Sequence, residues 1–110
     1  GMGIYVTLRR PILANKSGGL SGPGIKPSAV KAIYDIYQAT GLPIIGTGGV
    51  MTGEDVIELM MAGARLVGIG TMVNYRGVEG FGEIVKEMEA WCKKEGVKDL
   101  EEIIGVATKV

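Results

Sequence analysis

Two short apolar runs, each closed by glycine and each followed by a helix-patterned stretch, limit most strongly what this chain can fold into. Leu42-Pro43-Ile44-Ile45 runs into Gly46-Thr47-Gly48-Gly49, and Leu66–Ile69 runs into Gly70-Thr71. A continuous apolar run this short, bounded by turn residues, suits a strand buried on both faces in a parallel sheet. Parallel neighbours need a crossover, and the stretch between the two runs provides one. Thr52 can cap a helix, Glu54 favours its positive end, and Asp55 stands near the capping-box position. Val56, Leu59, Met60 and Gly63 then share one face. A helix also precedes the first run, from Pro27 to about Thr40. Its Val30, Ile33, Tyr34 and Tyr37 recur at i, i+3, i+4 and i+7, and Gly41 ends it. Phe81, Ile84, Val85 and Met88 mark another helix over Gly80–Lys94, stopped by Gly96, and Asp99 with Glu102 forms a D-x-x-E pattern for a short final helix. Upstream, Ile4–Leu8 and Pro11–Leu13 read as a small ribbon turned at Arg9-Arg10, followed by the glycine-rich loop Ser17–Gly24. Strands alternating with helices mean a parallel α/β architecture, here read as one domain over residues 1–110.

Several function classes drop out. An apolar content of 46% with zero net charge excludes disorder. No run of 18 apolar residues offers a membrane span, and no charged-then-apolar leader suggests secretion. Gly1-Met2 reads as an added leader around the start codon. The single cysteine, Cys92, cannot form an internal disulfide, which fits a cytoplasmic protein. The first fifty residues carry Arg9, Arg10, Lys16, Lys26 and Lys31 against Asp35, while the remainder holds seven basic and eleven acidic residues. The basic half could attract a small anion or simply be a solvated face. No basic patch interleaved with aromatics exists, so nucleic acid is not an expected partner. The absence of histidine excludes His-based triads and His metal sites. Cys92, between Trp91 and Lys93 on a helix, reads as a packed or surface thiol, and Met60, Met61 and Met88 read as core filling. No residue supplies a general base, so no catalytic and no metal-binding residue is assigned.

The glycine clusters remain. In parallel α/β folds ligands gather at the carboxyl ends of the strands, and adjacent strand ends would set Gly48-Gly49 beside Gly70-Thr71. Backbone N–H groups there, near helix N-termini, suit a phosphate, and a side chain would block its approach. Barrel enzymes often bind phosphate after their last two strands. Lys16, beside the upstream glycine loop, could pair with an anion or remain solvated. The alternative is that these glycines only make tight turns.

Two stretches go beyond this general grammar. Ile44-Ile45-Gly46-Thr47-Gly48-Gly49-Val50, followed by Thr52, Val56 and Gly63-Ala64, resembles a signature of dihydroorotate dehydrogenases. The loop Asn15-Lys16-Ser17-Gly18-Gly19-Leu20-Ser21-Gly22-Pro23 with Ile25-Lys26-Pro27 is similar to that family's preceding loop and helix start, in the version of the type with a separate electron-transfer subunit. The tail Lys94-Glu95-Gly96-Val97 with Leu100-Glu101-Glu102-Ile103-Ile104-Gly105 is similar too. The resemblance implies a (β/α)8 barrel that binds FMN and oxidises dihydroorotate to orotate in pyrimidine synthesis. It implies that Gly22, Gly48, Gly49, Gly70 and Thr71 contact FMN, chiefly at its phosphate. Ile4-Tyr5-Val6 departs from the family, which usually has an acidic residue after the isoleucine.

Length then decides how much of that family the chain can represent. A complete barrel takes about 250 residues, so 110 residues correspond to a partial (β/α)8 barrel: the last two βα units with flanking helices and an N-terminal loop or ribbon. The family's active-site cysteine, its flavin-contacting lysine and most substrate-binding asparagines would lie upstream, and Cys92 does not match that cysteine. The expectation is the FMN phosphate-binding portion of such an enzyme, inactive alone. The alternative is a non-catalytic partial barrel that holds flavin or phosphate, or serves only structurally, and self-associates. Its partners would be further copies or a complementary half-barrel, with an electron-transfer subunit in a full enzyme.

Overall fold

The computed structural model describes residues 2–110; Gly1, and with it the leader reading, lies outside the described residues. Helix α1 (Lys26–Thr40) leads into strand β3 (Ile44–Thr47), α2 (Gly53–Ala62) and β4 (Ala64–Gly68), and β3 pairs with β4 in parallel. The ribbon forms as β1 (Ile4–Tyr5) and β2 (Arg10–Pro11), which pair antiparallel. Its turn is Val6–Arg9, so Arg10 belongs to a strand. Helices α3 (Met72–Arg76) and α4 (Gly80–Glu95) follow, and 3-10 turns cover Pro23–Ile25, Leu100–Ile103 and Val106–Lys109.

The helix termini follow from local chemistry. Thr52 caps α2 with a full capping box: its hydroxyl accepts from the Asp55 N–H at 3.2 Å, and Asp55 accepts from the Thr52 N–H at 3.1 Å. Gly41 and Gly96 end α1 and α4 in the left-handed conformation. The expected box at Asp99 and Glu102 is different. Asp99 accepts from the Glu101 N–H at 2.9 Å, and the segment closes as a 3-10 turn. A two-residue reach suits the tighter winding, in which i→i+3 bonds set the pitch.

Both central strands differ from the expected positions: one lies two residues later, at Ile44–Thr47, and the other starts two residues and ends one residue earlier, at Ala64–Gly68. Pro43 cannot donate to a ladder, so pairing starts after it. Packing places the other strand: Ala64 is fully buried, and its methyl lies where a Cβ on Gly46 would be only 2.9 Å away. The same imaginary Cβ would sit 2.7 Å from Ile33 Cδ1 and 3.4 Å from Leu59 Cδ2. Without a side chain at Gly46, α1 and α2 close onto the sheet. The core is Ile33, Val50, Val56, Ile57, Leu59, Met60, Ala62, Ala64, Met72, Ile84 and Ile103, with Met61, Met88 and Trp91 packed against it.

The expectation of strands buried on both faces fails. Ile45 is 74% exposed and Leu66, its partner across the ladder, is 62% exposed. One sheet face carries α1 and α2; no layer among the described residues covers the other. The stripe expected on α4 is divided in the same way. Ile84 is buried, but Phe81 and Val85 are exposed beside β4, where an apolar groove of about 300 Å3 also includes Val56, Met60, Leu66 and Leu100. The ribbon is exposed as well, at Ile4, Tyr5, Val6, Leu8, Ile12 and Leu13.

Two outcomes follow. Leu59 is wholly buried, so Leu59→Ala should cost about 2–5 kcal/mol in denaturant unfolding; a loss below about 1 kcal/mol would show that this core is not formed. A bare apolar face beside unpaired strand edges favours association. At micromolar concentration the isolated chain should scatter light above its 11.6 kDa mass, and Ile45→Lys with Leu66→Lys should return it toward the monomer. A monodisperse wild-type monomer contradicts this.

Candidate functional site

The carboxyl ends of β3 and β4 and the start of the first 3-10 turn enclose a cleft of about 180 Å3. Ser21, Gly22, Ile25, Thr47, Gly48, Gly49, Val50, Gly68, Gly70 and Thr71 line it. All five residues singled out from the sequence, Gly22, Gly48, Gly49, Gly70 and Thr71, therefore come together. Parallel pairing brings the two turns to one end of the sheet, and α1 brings Gly22 over them.

The glycines are there for different reasons. Gly48 and Gly49 take φ of +132° and +72°, and a Cβ would lie 2.9 Å from the Ala29 methyl and 2.7 Å from the Lys26 backbone nitrogen, respectively. Folding alone demands glycine at both. Gly70 is the opposite case: its φ is not positive, and a Cβ would meet nothing within 4 Å. Internal packing gives no reason for glycine at 70, at a position that lines the cleft. Among the described residues, the N–H groups of Gly49, Gly70 and Thr71 donate to no backbone carbonyl, and the Thr71 hydroxyl does not cap α3. These groups suit an anionic oxygen. No lysine or arginine lines the cleft. Lys16 borders a separate hollow of about 520 Å3 inside the ribbon, with Tyr5, Arg10 and Leu13. That hollow is larger, but open and lined by the exposed ribbon. Cys92 is a half-buried free thiol on α4, away from the cleft.

Two ion clusters flank the cleft, and neither was read from the sequence as a cluster. Lys26 Nζ donates to Asp55 Oδ1 at 2.6 Å and pairs with Glu58 at 2.9 Å, tying the start of α1 to the start of α2. Both carboxylates, chiefly Asp55, hold the ammonium pKa above its ordinary value. Burial works to raise the Asp55 pKa, but Lys26 and the Met51 and Thr52 N–H groups outweigh it and leave it lowered. Arg76 at the end of α3 donates to Glu87 at 2.8 and 3.2 Å, to Glu83 at 2.6 Å and to the Met51 carbonyl at 2.9 Å. Glu87 also accepts from the Gly53 N–H at 2.8 Å, and Arg76 followed by that N–H lowers its pKa. Helix α3 itself was not expected, and no local pattern signals which long-range carboxylates an arginine will meet.

The comparisons with known proteins agree on one family. The family model described as dihydroorotate dehydrogenase matches residues 1–91. The chain belongs to the dihydroorotate dehydrogenase family. It is 50% identical over 107 residues to the dihydroorotate dehydrogenase B (NAD(+)) catalytic subunit of Methanocaldococcus jannaschii, covering 97% of this chain and 35% of that protein. The Pyrococcus abyssi protein of the same name is 46% identical, with 97% and 36% covered. A ligand-free DHODH structure from Eimeria tenella superposes with a TM-score of 0.80 at 28% identity, over 97% of this chain and 31% of that one. The chain thus spans about a third of the length of these dihydroorotate dehydrogenases. No helix among the described residues is long and apolar enough to cross a membrane.

The carboxylates set a pH dependence. A carboxylate whose pKa is lower folded than unfolded stabilises the fold above its unfolded value, about 3.9 for Asp and 4.3 for Glu. That contribution is lost as pH falls through the folded value. Stability should therefore drop below about pH 4, and Asp55→Asn combined with Glu87→Gln should flatten the drop in urea unfolding midpoints between neutral and acid pH. An unchanged acid slope would show that these two groups do not carry it.

Proposed function

We propose that this chain is the FMN phosphate-binding portion of a dihydroorotate dehydrogenase, forming the last two βα units of a (β/α)8 barrel. The observation that carries the reading is the single cleft at the two strand ends, with Gly70 unexplained by packing and the free amides of Gly49, Gly70 and Thr71 at its wall. These residues fit a phosphoryl group. Gly22, Gly48, Gly49, Gly70 and Thr71 would hold it through N–H groups and the Thr71 hydroxyl, oriented by backbone that folding has already placed. When bound, FMN supplies the electron acceptor for oxidation of dihydroorotate to orotate. The substrate's proton would go to a base that this chain does not itself provide: Cys92 stands away from the cleft, and no carboxylate lines it. Turnover is therefore assigned to an assembly in which further barrel units cover the bare face at Ile45 and Leu66 and pair with the strand edges. An electron-transfer subunit would join the full, cytoplasmic enzyme.

A second reading is a non-catalytic flavin or phosphate holder, or a purely structural piece, that covers the same apolar face with further copies of itself. The exposure of Ile45 and Leu66 favours it equally. Flavin binding and turnover separate the possibilities. The isolated chain should perturb FMN absorbance on titration yet form no orotate from dihydroorotate with an added electron acceptor. Gly70→Val should leave the unfolding free energy within about 0.5 kcal/mol, since the position is open, and weaken FMN about tenfold or more. Unaltered FMN binding by Gly70→Val overturns the phosphate assignment, and orotate formation by chain free of intact enzyme overturns the assignment of turnover to the larger assembly.

A further inference from the structure

Met51 follows the Gly48–Val50 turn directly, and both of its backbone polar groups are held by charged side chains. Its N–H donates to Asp55 Oδ2 at 2.9 Å, and its carbonyl accepts from Arg76 Nη1 at 2.9 Å. The Arg76 side chain is only 21% exposed and stands at the end of α3, the helix that opens immediately after Thr71. One guanidinium therefore links the two turns that form the cleft from behind, since neither Arg76 nor Met51 lines it. Helix α4 locks the arrangement. Glu87 joins Arg76 to the Gly53 N–H, a Cβ on Gly53 would fall 2.7 Å from Glu87 Cβ, and one on Gly80 would collide with Met72 and lie 2.9 Å from Arg76 Cβ. At both glycines α4 packs directly against its neighbours, the start of α2 and the end of α3.

We propose that Arg76 is a positioning residue for the phosphoryl group: through the Met51 carbonyl and Glu87 it sets the spacing between the Gly48–Gly49 and Gly70–Thr71 turns. The inference rests on the phosphoryl reading of the cleft. A guanidinium is needed because its two terminal nitrogens serve different partners at once: Nη1 takes Met51 and one Glu87 oxygen, while Nη2 takes the other Glu87 oxygen and Glu83. A single ammonium nitrogen cannot occupy both places. Binding groups lose effectiveness when their supporting residues leave them loose by about an ångström. A phosphoryl group held by neutral donors on two separate turns depends on that spacing, whereas a flavin lacking phosphate does not.

The test is a titration of the chain with FMN and with riboflavin, for wild type, Arg76→Lys and Arg76→Met, with Arg65→Met as control. Arg65 pairs with Glu101 at an exposed position. Wild type should prefer FMN. Arg76→Lys, which keeps the charge and the fold, should weaken FMN about tenfold and leave riboflavin within about twofold; Arg65→Met should change neither. In the ligand-free chain, amide exchange at Met51 and Gly53 should accelerate in the Arg76 variants. Wild type binding both flavins equally overturns the phosphoryl reading itself. Wild type preferring FMN, with the preference intact in Arg76→Lys, overturns the positioning role alone. So does a parallel loss of both flavins, or unchanged exchange at Met51.

Discussion

The missing side chain at Gly46 is the constraint on which the rest of the structure depends. Ile33 from α1, Leu59 from α2 and Ala64 from β4 all converge on that point, and any Cβ there would push at least two of them away. Because they meet, α1 and α2 lie on one face of a two-stranded sheet and the strand ends sit side by side. The cleft is a consequence of this packing. Gly48 and Gly49 turn sharply just beyond Gly46, in backbone conformations that other residues rarely adopt, and α1 approaches so closely that a Cβ would meet Ala29 at Gly48 and Lys26 at Gly49.

Charge clusters then do what a small core cannot. Lys26 with Asp55 and Glu58 ties the start of α1 to the start of α2, and Arg76 with Glu83 and Glu87 ties the end of α3 to α4. Their value lies in direction more than in net energy, since partly exposed ion pairs contribute little to stability. The two clusters meet at one residue, Met51, gripped at its N–H by Asp55 and at its carbonyl by Arg76. The cleft itself stays free of lysine and arginine, so any anion there faces dipoles rather than side-chain charges.

The same sheet is finished on one side only. Its packed face is complete, while its other face presents Ile45 and Leu66, and the groove beside β4 leaves Phe81 and Val85 uncovered. Relatives about three times as long share the covered third at nearly half identity. Ile45 and Leu66 are apolar although nothing among the described residues covers them.

Local chemistry was legible wherever a residue and its near neighbours suffice. The Thr52–Asp55 box, the Gly41 and Gly96 stops, the helical stripe through Ile33 and the glycine turns after two apolar runs all read directly, because capping, chirality and periodicity act over a few residues. The strand ends alone paired Gly48 and Gly49 with Gly70 and Thr71, since parallel strands must end at the same side, while Gly22 joined them only through the family resemblance. Tertiary structure alone decided the strand limits, placed by Ala64 packing against Gly46, and the one-sided burial of Ile45 and Leu66, which depends on how many strands are present. It alone joined Lys26 to Asp55 across 29 positions and Arg76 to Met51 across 25, because partners that far apart in the chain are chosen by how helices dock and leave no periodic trace.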